Sequence, residues 1–140
     1  MQVRNLMTQP VQVVEPHATL REAAELMKRF DLGSLLVCDG ERLAGIITDR
    51  DITVRATAEG EDPFEGRVRD AMSTEVACCF EEDDVTVAAR TMKEKQVRRL
   101  PVLRSDRRLV GVVSLGDLAV NTQDQKTSAE TLQAVSESSP

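Results

Sequence analysis

The chain has 140 residues, which fits one compact domain, and 41% of them are apolar, with no Trp or Tyr. Its core must therefore be built from aliphatic side chains and Met. The formal net charge of −6 argues against general binding of DNA or RNA, because neutralising phosphates requires an excess of Lys and Arg.

Targeting signals and active-site patterns are not evident in the sequence. No apolar run approaches the roughly 20 residues that span a bilayer, and the first residues open no signal-peptide pattern, so we expect a cytoplasmic protein without a membrane segment. Cys38, Cys78 and Cys79 lie in apolar runs and are predicted to be reduced core thiols. There is no metal-ligand spacing and no nucleophile–base pair, and His17 is expected in a loop, so we do not expect an enzyme.

The first half of the chain opens with a short strand and an amphipathic helix. The strand is predicted at Val11–Val14 and the helix at Thr19–Phe30. Residues 19–22 form a capping box, in which hydroxyl and carboxylate satisfy first-turn N–H groups. Apolar residues follow at i, i+3, i+4 and i+7 and form a stripe that is expected to pack on a sheet: Leu20, Ala23, Ala24 and Met27.

A hairpin and a second helix follow. The strands are predicted at Ser34–Cys38 and Leu43–Thr48, with the bend at Asp39–Gly40, a strong hairpin signal. The second helix is predicted to start after Thr48. Residues 59–66 are polar and contain Gly and Pro, which indicates a linker.

The second half of the chain repeats this order of elements. Residues 45–51, Gly-Ile-Ile-Thr-Asp-Arg-Asp, return as residues 111–117, Gly-Val-Val-Ser-Leu-Gly-Asp. A strand at Val76–Phe80 precedes a helix capped by Asp84, and a helix is predicted to start after Ser114. The equivalent stripe is Val85, Ala88, Ala89 and Met92, and the hairpin strands are Leu100–Leu103 and Leu109–Ser114.

These patterns predict three regions. The first unit is expected at residues 1–62 and the second at residues 63–121. Residues 122–140 are rich in Ser, Thr and Gln and are predicted to be a disordered tail. Each repeat is expected to need the other to bury its apolar face.

Two ordered copies of a β-α-β-β-α unit, each with Gly-h-h-Thr/Ser-x-x-Asp at its last strand-to-helix junction, resemble the CBS domain, which is named after cystathionine β-synthase. The resemblance covers residues 1 to about 121, where residues 3–8 and 68–73 are similar to the family's lead-in segments and residues 96–102 to its segment before the hairpin. It implies an α+β fold of two CBS units packed as an intramolecular pseudo-two-fold pair, a Bateman module of the small stand-alone bacterial type.

The resemblance also implies a function. Such modules commonly form homodimers and bind AMP, ADP, ATP, NAD or S-adenosylmethionine in clefts between units. We therefore expect a regulatory module without a required cofactor, which signals ligand binding to a partner protein that the sequence does not name. The alternative is a ligand-free protein-interaction or stress-response scaffold.

The repeated motif itself favours a nucleotide. Thr48 and Ser114 stand where a strand gives way to a helix, whose free N–H groups attract anions. Asp51 and Asp117, one turn later, can each accept two hydrogen bonds from a ribose diol. The same residue spacing is also a capping box, so a purely structural role stays open.

Further residues complete the two predicted sites. Adenine is expected among Ile46, Val112 and other strand residues, with its edge read by backbone groups. Gly116 leaves room beside the backbone, and the first-turn cation Arg50 would be offset by an anion or by the nearby carboxylate of Asp49. The resemblance adds the residues just before the hairpin: Gly33 and Ser34 in the first unit, and Arg98 and Arg99 in the second.

The second site is favoured for a phosphate, because guanidinium groups pair with phosphate in a fork. The alternative for Arg98 and Arg99 is an ion pair with a surface carboxylate such as Glu94 or Asp106.

Overall fold

A computed structural model describes residues 1–9 and 11–121 of the chain. It contains two three-stranded sheets with accompanying helices, and the predicted α+β class and the β-α-β-β-α order of both units are confirmed. The predicted tail at residues 122–140 lies outside the described residues. The elements of the first sheet are β1 (Val13–Val14), α1 (Leu20–Phe30), β2 (Ser34–Asp39), β3 (Arg42–Thr48) and a π-helix (Asp51–Thr57).

The second sheet repeats this series. Before it, α2 (Val68–Ala71) packs into the core of the first sheet. The series then consists of β4 (Cys79–Phe80), α3 (Val85–Lys95), β5 (Arg99–Leu103), β6 (Leu109–Ser114) and α4 (Leu115–Asn121), and a 3₁₀ turn at Val3–Asn5 opens the chain. In each sheet the central strand pairs in parallel with the short first strand and antiparallel with its hairpin partner. The predicted bend of the first hairpin is confirmed, with Gly40 at a φ of 64°.

The two long helices begin and end in equivalent ways. The Thr19 hydroxyl accepts the Glu22 N–H at the start of α1, and the Asp84 carboxylate accepts the Thr86 N–H at the start of α3, as predicted. Both helices end in a residue with left-handed backbone, Asp31 in α1 and Gln96 in α3. Both helices therefore have the side-chain cap expected at a helix N-terminus and the left-handed residue common at a helix C-terminus.

One residue of the predicted stripe on α1 is not buried. Leu20, Ala23 and Met27 are buried, but Ala24 is exposed, so that part of the prediction is wrong. Leu26 packs against the core in its place, which turns the apolar face of the helix away from Ala24. In α3 the four predicted positions are all buried.

The compact units divide the chain differently from the predicted boundary between residues 62 and 63. The first unit is Gln12–Val76, and the second unit is Met1–Val11 with the chain from Ala77 onward. Each repeat thus gives up its lead-in segment to the other unit. In the first unit Ile46 of β3 bridges to Ser73, and in the second unit Val112 of β6 bridges to Thr8.

The predicted linker at residues 59–66 is part of the first unit. The Gly66 carbonyl accepts the Leu20 N–H, and the Pro63 carbonyl accepts the Arg21 N–H, each at 3.0 Å. These carbonyls satisfy first-turn N–H groups of α1 that have no partner within the helix. The Arg21 guanidinium also lies over the Phe64 ring, 5.0 Å from its centre.

Each unit has its own aliphatic core. In the first unit it includes Leu35 and Ile47, and in the second Leu100 and Val113. Cys38 and Cys79 are buried, Cys78 is half-buried, and all three are free thiols, as predicted. Within the part of the chain that the structure describes, none of the helices has both the length and the apolar character needed to cross a bilayer.

Candidate functional site

The candidate site is a pair of equivalent corners where the last strand of each hairpin turns into a helix. In the first corner the Thr48 N–H donates to Asp51 Oδ2 at 2.9 Å, and the Asp51 N–H donates to Thr48 Oγ1 at 3.0 Å. In the second corner the Ser114 N–H donates to Asp117 Oδ2 at 2.8 Å, and the Asp117 N–H donates to Ser114 Oγ at 3.1 Å. Both corners are therefore reciprocal capping boxes.

This geometry limits what the acids can offer a ligand. One oxygen of Asp51 is taken by the cap, and Oδ1 lies 3.7 Å from Arg55 Nε, while the side chain keeps 16% of its surface exposed. Only one oxygen of this carboxylate therefore lies outside the cap, where the sequence suggested two acceptors for a ribose. The structural role that the spacing left open is present in both corners.

The residues before each hairpin strand reach the corner of the same unit. The Gly33 carbonyl accepts the Asp49 N–H at 2.9 Å, and the Arg98 carbonyl accepts the Leu115 N–H at 2.8 Å. Ser34 stands opposite Thr48 in the β2–β3 register. Such directly opposed residues of an antiparallel pair project from the same face of the sheet. The structure thus brings together residues that the sequence separates.

The same relationship holds in the second unit, where Arg99 stands opposite Ser114. Arg98 and Arg99 are both exposed. Asp106 does not pair with either of them, because its carboxylate contacts Arg104 at 2.9 Å and Arg108 at 3.3 Å. The hydrogen bond from Arg104, with help from Arg108, lowers the pKa of Asp106 to about 2.

The predicted adenine contacts need one correction. Ile46 and Val112 are both half-buried strand residues. The backbone N–H and C=O of Ile46 pair with Ser73, and those of Val112 pair with Thr8. Their backbone groups are therefore already engaged by the lead-in segments, which leaves their side chains as the groups that can contact a base.

Two first-turn residues are exposed. The backbone N–H of Arg50 donates to Asp49 Oδ1 at 2.7 Å, so the Asp49 carboxylate satisfies a first-turn N–H group. Gly116 has open space around it, since an added Cβ would meet only Ser114 Oγ, at 3.6 Å. Asp49 is not among the predicted ligand contacts, and its equivalent in the second repeat, Leu115, differs from it in charge.

Other candidate groups lie outside the corners. His17 lies in a turn, as predicted, and its Nε2 is 2.8 Å from a carboxylate oxygen of Glu15, with both side chains exposed. Across residues 1–9 and 11–121, no group of three or more His, Cys, Asp or Glu residues is placed to hold a metal ion.

Comparison with curated proteins gives relatives of similar length. The chain is 39% identical over 134 residues to the CBS domain-containing protein YhcV of Bacillus subtilis, and the match covers 96% of this chain and 94% of YhcV. It is 37% identical over 117 residues to Hypoxic response protein 1 of Mycobacterium tuberculosis, covering 83% of this chain and 81% of that protein.

Solved structures share the fold. The crystal structure of Hypoxic Response Protein I with two coordinated zinc ions matches with a TM-score of 0.75 at 35% identity, covering 85% of this chain and 97% of that one. The CBS domain pair of protein MJ0100, crystallised with 5′-methylthioadenosine and S-adenosyl-L-methionine, matches with a TM-score of 0.68 at 25% identity, covering 85% of this chain and 93% of that one.

The model of the CBS domain family matches the chain twice, over residues 3–56 and 68–121. These ranges follow the two sequence repeats, whereas the compact units exchange the lead-in segments. The chain belongs to the CBS domain family, as a tandem pair similar to its small stand-alone members.

Proposed function

We propose that the chain is a regulatory CBS-pair module of the cytoplasm, which binds an adenosine-containing ligand and passes its bound state to a partner protein. The ligand is one of AMP, ADP, ATP, NAD or S-adenosylmethionine. The observation that carries this proposal is the twofold occurrence of one corner, in which a hydroxyl residue, an acid and the start of a hairpin meet. The adenosyl ligands of the MJ0100 domain pair support the choice of ligand class.

In this proposal each acid caps its helix with one carboxylate oxygen and binds the ligand with the other. The N–H of Thr48 holds Oδ2 of Asp51 and so fixes the direction of the carboxylate. A ribose hydroxyl then donates to Oδ1, an acceptor whose orientation is already set. At each corner the apolar side chain of that unit, Ile46 in the first and Val112 in the second, contacts the adenine of its own ligand, since the backbone groups of both residues are paired with the lead-in segments.

A thermal-shift measurement with the five ligands tests the proposal. A ligand that binds only the folded state raises the melting temperature. At a concentration 100 times its Kd, it adds about 2.7 kcal/mol to the free energy of unfolding. We expect at least one adenosine-containing ligand to raise the melting temperature, and guanosine nucleotides to have a smaller effect. The proposal is overturned when none of the five changes the melting temperature at about 1 mM, a concentration that detects even weak binding.

A pair of variants separates the cap from the ligand contact. Asp51→Asn and Asp117→Asn keep an oxygen that can accept the capping N–H but replace the second oxygen with a donor amide. We expect these variants to melt near the wild-type temperature and to bind the ligand about tenfold more weakly, a change of about 1.4 kcal/mol. Unchanged affinity in both would show that the acids act only as caps.

The reciprocal caps favour a second candidate function, a ligand-free interaction scaffold. In that case Asp51 and Asp117 serve only their own backbone N–H groups, as the four hydrogen bonds of the two corners allow. The Asp→Ala variants would then lose about 0.5–2 kcal/mol of stability and nothing else. Mass spectrometry of small molecules released from the purified protein would distinguish the two candidates directly.

A further inference from the structure

We infer that the two corners accept ligands of different charge: the second corner takes a phosphate-bearing adenosine ligand, and the first takes one without phosphate. This inference rests on the proposed function and names the ligand class at each corner. It depends on charged side chains that occupy equivalent positions in the two repeats but differ in sign.

In the first corner a carboxylate, that of Asp49, lies at the position from which an arginine side chain, that of Arg98, starts in the second corner. Gly33 and Arg98 are equivalent, since the carbonyl of each accepts the N–H that follows the last strand residue. A Cβ built on Gly33 would lie 3.7 Å from Asp49 Oδ2, in ordinary contact with that carboxylate. Asp49 therefore lies beside the point from which the side chain of Arg98 starts in the other unit.

The first corner carries two acids and two arginines. Asp49 Oδ1 accepts the backbone N–H of Arg50 at 2.7 Å, and Asp51 Oδ1 lies 3.7 Å from Arg55 Nε. The two acids are matched by two arginines, so this corner has no excess of positive charge. A phosphate that enters here meets the carboxylate of Asp49, which repels it.

The second corner has the opposite balance. Leu115 replaces Asp49 and is 7% exposed, and Gly116 replaces Arg50, so Asp117 is the acid of this corner. Arg98 and Arg99 are exposed, and among residues 1–9 and 11–121 no carboxylate lies within ion-pair distance of either guanidinium. Both are therefore available for a phosphate.

The position of Arg99 suits this role. Arg99 and Ser114 are directly opposed across the β5–β6 pair, which places their Cβ atoms about 4.5–5.5 Å apart on one face of the sheet. On the same face the buried Pro101 stands opposite Val112, whose half-buried side chain is the apolar group available to the base. A guanidinium beside the corner hydroxyl can pair two of its N–H groups with one phosphate.

Calorimetric titration with ATP and with 5′-methylthioadenosine tests the inference, because the two ligands share adenosine and only ATP carries phosphate. The variant Arg98→Ser/Arg99→Ser is compared with Arg90→Ser, which removes an exposed arginine from the middle of α3. We expect the double variant to bind ATP at least about tenfold more weakly and to bind 5′-methylthioadenosine within about twofold of the wild type. Arg90→Ser should change neither affinity, and added NaCl should weaken ATP binding alone.

The outcomes separate this inference from the proposed function. If the double variant lost affinity for both ligands equally, or lost no affinity for ATP, the inference would be overturned, whereas adenosine binding by the wild type would stand. Failure of both ligands to bind the wild type would overturn the inference, and the proposed function falls as well only when AMP, ADP, NAD and S-adenosylmethionine also leave the melting temperature unchanged. A reciprocal graft, Ser34→Arg/Asp49→Leu, should add a second ATP-binding site per chain, and an unchanged stoichiometry would overturn the role of Asp49. Arg99→Ser alone serves as the second variant if the double variant is unstable.

Discussion

Gly45 lies directly against the backbone of Ser73: a Cβ atom added at Gly45 would come within 2.5 Å of the Ser73 carbonyl oxygen. The same relationship recurs in the second unit, where a Cβ on Gly111 would lie 3.0 Å from the Thr8 carbonyl oxygen and 2.8 Å from Met7 Sδ. The glycine that opens both copies of the repeated motif is thus explained by the lead-in segment that bridges to the next strand residue. A side chain there would separate the two backbones.

Replacing Gly45 should therefore destabilise the protein. We expect Gly45→Ala to lower the free energy of unfolding by about 1–3 kcal/mol, because the contact is with backbone and relief requires a backbone shift. Gly116→Ala is the matched control, since its Cβ would meet only Ser114 Oγ at 3.6 Å. It should gain up to about 1 kcal/mol from the higher helix propensity of Ala. Urea unfolding measures both, and equal stability of the two variants would contradict the packing explanation.

The left-handed residue at the end of α3 offers a stabilising substitution. Gln96 has a φ of 56°, a conformation that costs a residue with a Cβ more than it costs Gly. We expect Gln96→Gly to raise the free energy of unfolding by about 1 kcal/mol, while Gln96→Ala, which keeps a Cβ, gains little. A lower melting temperature for the Gly variant than for the Ala variant would contradict this reading of the cap.

The buried thiol of Cys79 should make stability depend on alkaline pH. Burial, with smaller contributions from Asp83 and Cys78, raises the pKa of Cys79 from 9.0 to about 12. Above about pH 9 the unfolded chain loses this proton and the folded chain keeps it, so the free energy of unfolding falls as pH rises toward 12.

Comparison with Cys79→Ala isolates this effect from other groups that titrate in the same range. The variant loses packing at every pH but lacks the ionisable thiol. The difference in urea midpoint between wild type and variant should therefore narrow as pH rises above about 9. A constant difference across that range would mean that the thiol ionises equally in the folded and unfolded chains.

Exposed apolar side chains on the helices predict a homodimer. Phe30 ends α1 with 47% of its surface exposed, Val54 of the π-helix has the same exposure, and Val87 of α3 has 36%. Burying such side chains between two copies is favourable, by roughly 25 cal/mol for each Å² removed from water. Light scattering should give twice the mass of one chain, and Val54→Asp or Val87→Asp should reduce it. A monomeric mass at high protein concentration would contradict the prediction.

The helices and strands could be predicted from the sequence, because the signals that form them act within a few residues. Thr19 and Asp84 cap helices through N–H groups two or three positions away, and Gly40 turns the first hairpin with its own backbone. The apolar stripes predicted the buried faces of both long helices, except at Ala24, which is exposed while Leu26 packs against the core. The recurrence of one motif was enough to indicate two equivalent corners.

Which lead-in segment covers which strand could not be predicted from the sequence, because it depends on how the whole chain folds. The lead-in segments have the same apolar pattern, so either one suits either sheet, and the pairings of Ser73 with Ile46 and of Thr8 with Val112 depend on the path of the whole chain. These pairings occupy the backbone N–H and C=O groups of Ile46 and Val112, which are therefore not available to an adenine base. Tertiary structure also set Asp49 beside Gly33 and Leu115 against the carbonyl of Arg98, because the atoms that meet at each corner come from two strands separated by a hairpin.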